Sequence, residues 1–518
     1  MSGFSSEALI TAVAIIGIVI VVSALLSGLI EKSGLPQVAV FLAIGAALGP
    51  AGLGVVNIGL QSQTLRVVAT LSLTLVLFTD AVALNVSEVR KHSILAFRLL
   101  GPGTLLSAAL VALAGWRLLG LSVPAAAILG AALASTDPVL LRGLLRRPDI
   151  PTPTRQALQL ESGLNDVVLL PVVIIAMAFM GEHGPLDAAA WGKLGLRLFV
   201  LGPGAGVAVG LVAVAALDLI RKKIGVRRDY ESLYSLGVAL SAYAAAEAVH
   251  GSGFLAAFAA GLTIAAIDVE LCDCFLEYGG VTAEMMLLFT FVLFGSSLIW
   301  SGLTIVSGAA LLFAAVVILI RPPVYLLSLW GSSVDWRGRL LIAWFGPRGL
   351  SSLLLVLLPI FAGLPGSEQL FPICCLVVLM SVVLHGGSPL LLAQASRRRV
   401  RHETEAANIL RTNGAAESTG HNPDNAQAST TAASCPINNP ISTNVIDPPA
   451  IGGTSITIDE LRRLQQLAEL VITLDVRTER SLDDLQAKEA VRVPPDNAVR
   501  RVRELGLPKE AWLIAFCA

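Results

Sequence analysis

ESGLNDVVLLP, Glu161 to Pro171, runs on as VVIIAMAFM and places a glutamate and an aspartate in a segment that is otherwise apolar. On a helix, Glu161 stacks with Asn165 and Ser162 with Asp166, and the two pairs lie on faces about 100° apart. Five residues beyond Asp166, Pro171 removes one helical hydrogen bond and frees the carbonyl of Val167. Hydrocarbon is a costly place for two carboxylates, so the reading of this segment decides both the architecture and the chemistry.

The rest of the chain puts the segment in a membrane. Of 518 residues, 55% are hydrophobic and only 14% are charged, against about a quarter charged in soluble domains. The net charge of −1 gives no footing for a nucleic-acid partner. The six cysteines, Cys272, Cys274, Cys374, Cys375, Cys435 and Cys517, have neither a disulfide framework nor paired zinc spacing. Residues 1–7 lack a basic region and the first apolar run is too long for a signal peptide, so this run is expected to stay as a span.

The expected fold is an all-α polytopic membrane protein with about thirteen transmembrane helices. Apolar runs long enough for a core of about 30 Å fall at 8–30, 36–55, 64–84, 93–119, 123–141, 156–180, 194–218, 231–249, 252–267, 282–300, 303–330, 339–361 and 369–394. The runs are continuous rather than alternating, which selects helices over a barrel. Basic residues gather on one set of loops: Arg90 and Lys91, RGLLRRPDIPTPTR, RKKIGVRR, Arg337 and Arg339, and RRRVR. The opposite loops hold little beyond Arg117 and Lys193, and the stretch from Asp268 to Glu277 is acidic. The N-terminus is therefore expected outside the cell membrane and the C-terminus in the cytoplasm.

Three domains are expected: a membrane domain over 1–396, a basic then flexible polar linker over 397–453, and a small α/β cytoplasmic tail over 454–518.

Two further spans carry helix breakers. In LASTDPVLL, Pro138 leaves the carbonyl of Ala134 without its donor and disfavours helix at Asp137, so Thr136 and Asp137 sit among free backbone oxygens. In WFGPRGLSS, Gly346, Pro347 and Gly349 interrupt the twelfth span. Spans five and twelve are seven apart and run in opposite directions. Matched breaks in two inverted repeats point to a transport site where they meet, and freed carbonyls beside carboxylates suit a hard monovalent cation.

Other charges expected inside the bilayer are Asp80, Arg321 and Arg348. Each ionised group near the bilayer centre costs about 2.5–3.5 kcal/mol. Asp80, Asp137, Glu161 and Asp166 together would cost roughly 10 kcal/mol unpaired, comparable with a whole protein's stability. Two arginines cannot neutralise four acids, which leaves about two acids for a mobile cation or proton.

STDPV followed by ESGLND and a proline, with a later deep arginine and a G-x-R-G break, resembles the monovalent cation/proton antiporters, in the sodium/proton exchanger branch with an Asn-Asp pair. The resemblance covers all thirteen spans. It implies a homodimer in which a core domain with two crossing broken helices slides against a dimerisation domain, with no cofactor. Asp166 would carry sodium (or lithium) and proton in turn, with Asp137, Thr136 and Ser162 shaping the sodium site. Asn165 would orient the unwound segment, Asp80 would contribute an acidic position in span three, and Glu161 would pair with Arg321 or, second, Arg348. With Asn165 unable to ionise, the resemblance implies electroneutral one-for-one exchange. Potassium exchange and a cation channel remain the alternatives. FGPRG departs from relatives that carry a leucine before the arginine.

TLDVRTERS, then VRVPPD and AWLIAFC, resembles a rhodanese domain in which a strand ends at a nucleophilic cysteine, the position of Cys517. The anion-binding loop that would follow is missing, so this tail is expected to be truncated and inactive.

Overall fold

The computed structural model describes residues 37–84, 86–145, 150–181, 187–223, 228–267, 280–332 and 334–385, the isolated positions 17, 21 and 25, and three strands near the C-terminus. Apart from positions 17, 21 and 25, the first expected span lies outside the described residues, as do the loop residues 146–149 and 224–227, the acidic stretch 268–277, the linker 397–453 and Cys517. The chain divides into two units, Met1–Gly420 and His421–Ala518.

The first unit is helical, because a continuous apolar run can satisfy its backbone in lipid only through its own hydrogen bonds. Among the described residues, six helices are long and apolar enough to cross a membrane: Gln63–Ala83, Ser93–Leu119, Thr152–Met180, Ala188–Lys223, Met285–Thr304 and Gly308–Ser328. Five more apolar helices are shorter: Gln37–Leu48, Val123–Ala134, Gly253–Ile267, Leu350–Phe361 and Leu370–His385. Two of these are short because a break interrupts them. Val123–Ala134 stops at Ser135 and resumes as Pro138–Leu145, and Trp336–Trp344 stops at Phe345 and resumes as Leu350–Phe361. Thr152–Met180, by contrast, runs through Pro171 for 29 residues without interruption. The proline deletes one hydrogen bond there and the helix continues.

Small residues let the helices approach closely, as is usual in membranes, where lipid is as apolar as the side chains and packing must supply the attraction. A Cβ on Gly45 or on Gly295 would run into the backbone of the facing helix, and one on Gly206 would meet the backbone of Ala256. Around the breaks, Leu99, Leu141, Leu158, Tyr325, Ile342 and Phe345 form a buried apolar cluster. In Ser93–Leu119 the backbone opens into a π-helical turn at Leu99–Leu105, where Pro102 lies between Gly101 and Gly103, and Thr104 of this turn faces that cluster's Tyr325.

The second unit holds a three-stranded parallel sheet in the order β2-β1-β3: β1 Val471–Asp475, β2 Val491–Arg492 and β3 Trp512–Phe516. Val471 to Asp475 pair in register with Trp512 to Phe516. The apolar runs VITLD and WLIAF thus form adjacent strands.

Candidate ion site at the crossing of two helix breaks

The two breaks cross and bind each other. The amide of Asp137 donates to the carbonyl of Pro347 (2.9 Å), and the Asp137 carboxylate accepts from the amide of Leu350 (2.7 Å). Arg348 Nη1 donates to the carbonyls of Ala134 (2.6 Å) and Ser135 (3.0 Å). Its own amide donates to Ser381 Oγ (2.7 Å) on the last described helix. Gly349 is required here because a Cβ would overlap the Asp137 carboxylate.

The charges match the helix ends they touch. Breaking a helix exposes amides at one new end and carbonyls at the other, with partial charges of opposite sign. Asp137 sits at the start of Leu350–Phe361, and Arg348 at the end of Val123–Ala134. Arg321 Nη2 reaches the carbonyls of Ile342 (3.2 Å) and Phe345 (3.4 Å) at the end of Trp336–Trp344. The carbonyl that Pro138 frees therefore accepts from Arg348. The sequence alone suggested such oxygens as cation ligands; in the structure each also accepts a hydrogen bond, Thr136 O from Asn165 Nδ2 (3.3 Å).

Glu161 lies at the centre of a buried knot. Arg321 Nη1 and Nη2 donate to its two oxygens, each at 3.1 Å. Thr136 Oγ1 (2.9 Å) and the Tyr325 hydroxyl (3.0 Å) also donate to Oε1. The Arg321 guanidinium lies over the Tyr325 ring, 3.9 Å from its centroid, and Thr104 Oγ1 is 3.0 Å from the Tyr325 hydroxyl. Glu161 and Arg321 are 0% and 2% exposed, so the bidentate pair is fully desolvated. Of the two arginines, the structure places Arg321 on Glu161 and Arg348 on the helix end. Gly346 admits the guanidinium, since a Cβ would overlap Arg321 Nε and Cζ.

Neither arginine forms an ion pair with Asp166 among the described residues; Arg321 pairs with Glu161. Asp166 Oδ1 accepts a hydrogen bond from the Ser135 hydroxyl, while Oδ2 is buried with no hydrogen-bond partner among the described residues. The Ser351 hydroxyl also lies against this carboxylate, and the charges of Asp137 and Glu161 act on it. Asn165 is buried, and its Oδ1 has no hydrogen-bond partner among the described residues. Of the residues that the resemblance placed around the cation, Thr136 Oγ1 donates to Glu161 Oε1 (2.9 Å) and Ser162 Oγ to Gln159 O (3.4 Å). Asp80 is half-buried on Gln63–Ala83, and its main-chain oxygen lies 3.9 Å from where a Cβ on Gly163 would sit.

Ser135, Tyr325 and Ser381 were missed from the sequence. Ser135 stands one residue before Thr136 in ASTDP, and Tyr325 lies one helical turn after Arg321, a spacing that stacks them. Among the described residues, no three His, Cys, Asp or Glu side chains group as a resident metal site.

Two crossing breaks beside a buried carboxylate are the arrangement in which transporters built on discontinuous helices place their ion sites. The chain belongs to the sodium/hydrogen exchanger family, monovalent cation/proton antiporters: the family described as "Sodium/hydrogen exchanger, transmembrane" matches residues 18–393. It is 27% identical over 385 residues to the K(+)/H(+) antiporter NhaP of Alkalimonas amylolytica, covering 74% of this chain and 66% of that protein. It is 26% identical over 335 residues to the Na(+)/H(+) antiporter NhaG of Bacillus atrophaeus, covering 62% of each. The chain thus spans just under two thirds of these relatives' lengths. The sodium proton antiporter MjNhaP1 of Methanocaldococcus jannaschii shares the fold, with a TM-score of 0.61 at 21% identity over 74% of this chain and 98% of that one.

Proposed function

We propose that this chain exchanges a monovalent cation for a proton by alternating access, with Asp166 carrying one or the other. The observation that carries this reading is the division of charge at the crossing. Arg321 is committed to Glu161 and Arg348 to the end of a helix, which leaves Asp166 with an oxygen that has no hydrogen-bond partner and with no ion pair among the described residues. A buried carboxylate in that position has to be neutralised by something mobile. Asp137 contributes negative potential while it caps Leu350–Phe361, and Asn165 holds the first break through Thr136 O.

Two identities for the cation are in play. Sodium is supported by the family description and by the name of the relative in Bacillus atrophaeus, and lithium is proposed beside it. Potassium is favoured by the names of relatives with greater coverage, those in Alkalimonas amylolytica and Shewanella sp. MR-4. Because Asn165 cannot ionise, one carboxylate serves both ions, and exchange is one for one and electroneutral.

The proposal extends to about thirteen spans in two inverted repeats, which the breaks at corresponding positions support. It also includes a homodimer in the cell membrane with the N-terminus outside, for which the basic loops argue, and a rhodanese-like tail without sulfurtransferase activity. Dequenching of a pH-sensitive dye in everted vesicles, on adding sodium, lithium or potassium across a range of pH, tests the reading. Dequenching by at least one of these ions, unaffected by an imposed membrane potential, is expected. No response to any of them contradicts exchange, and a response driven by potential contradicts electroneutrality.

A further inference from the structure

Asp166 accepts a hydrogen bond through Oδ1 from a residue on a different span, while the Ser351 hydroxyl lies against the same carboxylate. Ser135 is the first residue past the end of Val123–Ala134, in extended conformation with φ −60° and ψ 139°. Its main chain is clamped, because its carbonyl accepts from Arg348 Nη1 at 3.0 Å. The side chain is fully buried, and its hydroxyl donates to Asp166 Oδ1. Oδ2 of the same carboxylate is buried and has no hydrogen-bond partner among the described residues. The two oxygens of one carboxylate are therefore inequivalent, and a residue fixed to the crossing makes them so.

We propose that Ser135 is a positioning residue for exchange: its hydroxyl occupies Asp166 Oδ1 and aims Oδ2 as the oxygen that takes the proton and the cation in turn. The inference rests on Asp166 being the carrier and adds which of its oxygens works and what orients it. A hydroxyl has one proton to donate, and a donor to a carboxylate favours the anionic form, which binds the cation, over the protonated form. Ser135 thus sets the balance of the competition as well as the direction of the carboxylate. The other groups that act on Asp166 are Ser351 on the second broken helix, Asp137 on the first break and Glu161, with Arg321 held on Glu161 and Arg348 on the carbonyl of Ser135. None of them is altered in a Ser135 variant.

The test uses the full chain in proteoliposomes, with sodium and potassium each tried as driving ion and proton flux as the readout. In Ser135→Ala, the cation concentration giving half-maximal exchange at neutral pH should rise about tenfold, and the pH profile should move up by about one pH unit. The maximal rate at saturating cation should stay near wild type. Ser135→Thr, which keeps the hydroxyl, should restore both values. If Ser135→Ala cannot be extracted folded, Ser135→Cys, a weak donor of similar size, should shift both values in the same direction by less. An unmoved half-saturation and pH profile in Ser135→Ala or Ser135→Cys, or a loss confined to maximal rate, overturns the inference. Asp166→Asn separates the two ideas. If it is inactive while the Ser135 variants are unmoved, only the role of Ser135 fails; if it still exchanges, the carrier assignment itself fails.

Discussion

Replacing Glu161 with glutamine keeps the shape of the side chain and removes its charge. In the structure Glu161 accepts four hydrogen bonds: two from Arg321, one from Thr136 and one from Tyr325. Glutamine offers one acceptor oxygen. Its amide would either face Arg321 Nη2, donor against donor, or give up the bonds from Thr136 and Tyr325. The guanidinium is then left charged, buried and without its counterion. Removing one partner of a buried ion pair costs roughly 3–5 kcal/mol, a large fraction of the roughly 5–15 kcal/mol that holds a native protein together. At a few degrees per kcal/mol, the thermal unfolding midpoint of the detergent-purified protein should drop by about 5–10 °C. The double variant Glu161→Gln with Arg321→Met, which removes the stranded charge, should recover part of that loss, and the recovery measures the coupling. A midpoint for Glu161→Gln equal to wild type would refute the view that this pair is what lets the two charges sit there.

Three further outcomes follow from the same geometry. Tyr325→Phe keeps the ring under Arg321 but loses its hydroxyl contacts with Glu161 and Thr104. It should cost about 1–2 kcal/mol in the same melting assay and leave exchange measurable. Gly346→Ala puts a methyl group into the Arg321 guanidinium, so its midpoint should fall about as far as that of Glu161→Gln. Gly349→Ala pushes into the Asp137 carboxylate and should depress exchange in vesicles even where the protein is still extracted folded; wild-type flux would show that the crossing tolerates spreading.

Much of this arrangement was legible in the chain, and the limits have physical causes. Prolines 138 and 347 delete backbone donors, a local effect, and both breaks fall where they stand. Pro171 deletes a donor equally well, yet Thr152–Met180 continues, because a single lost bond bends or breaks a helix only where the surroundings have a better use for the chain. At the crossing that use is visible: Asp137, Arg348 and Arg321 each satisfy an end that a break creates. The partner of Glu161 lies 160 residues away, and no spacing rule chooses between Arg321 and Arg348 across that distance. The hydroxyl directions of Thr136 and Ser162 depend on which acceptor is nearest in three dimensions. For the same reason Ser135 looked like an ordinary neighbour of TDP until its hydroxyl was seen on Asp166.

The most direct test of the central claim is cation-driven proton flux through Asp166→Asn, reconstituted in liposomes beside wild type at equal amounts of folded protein. Asparagine fills the same space but holds neither a transferable proton nor a charge for a cation, so no flux above that of empty liposomes is expected with sodium, lithium or potassium. Flux at the wild-type rate would mean that another group carries the ions.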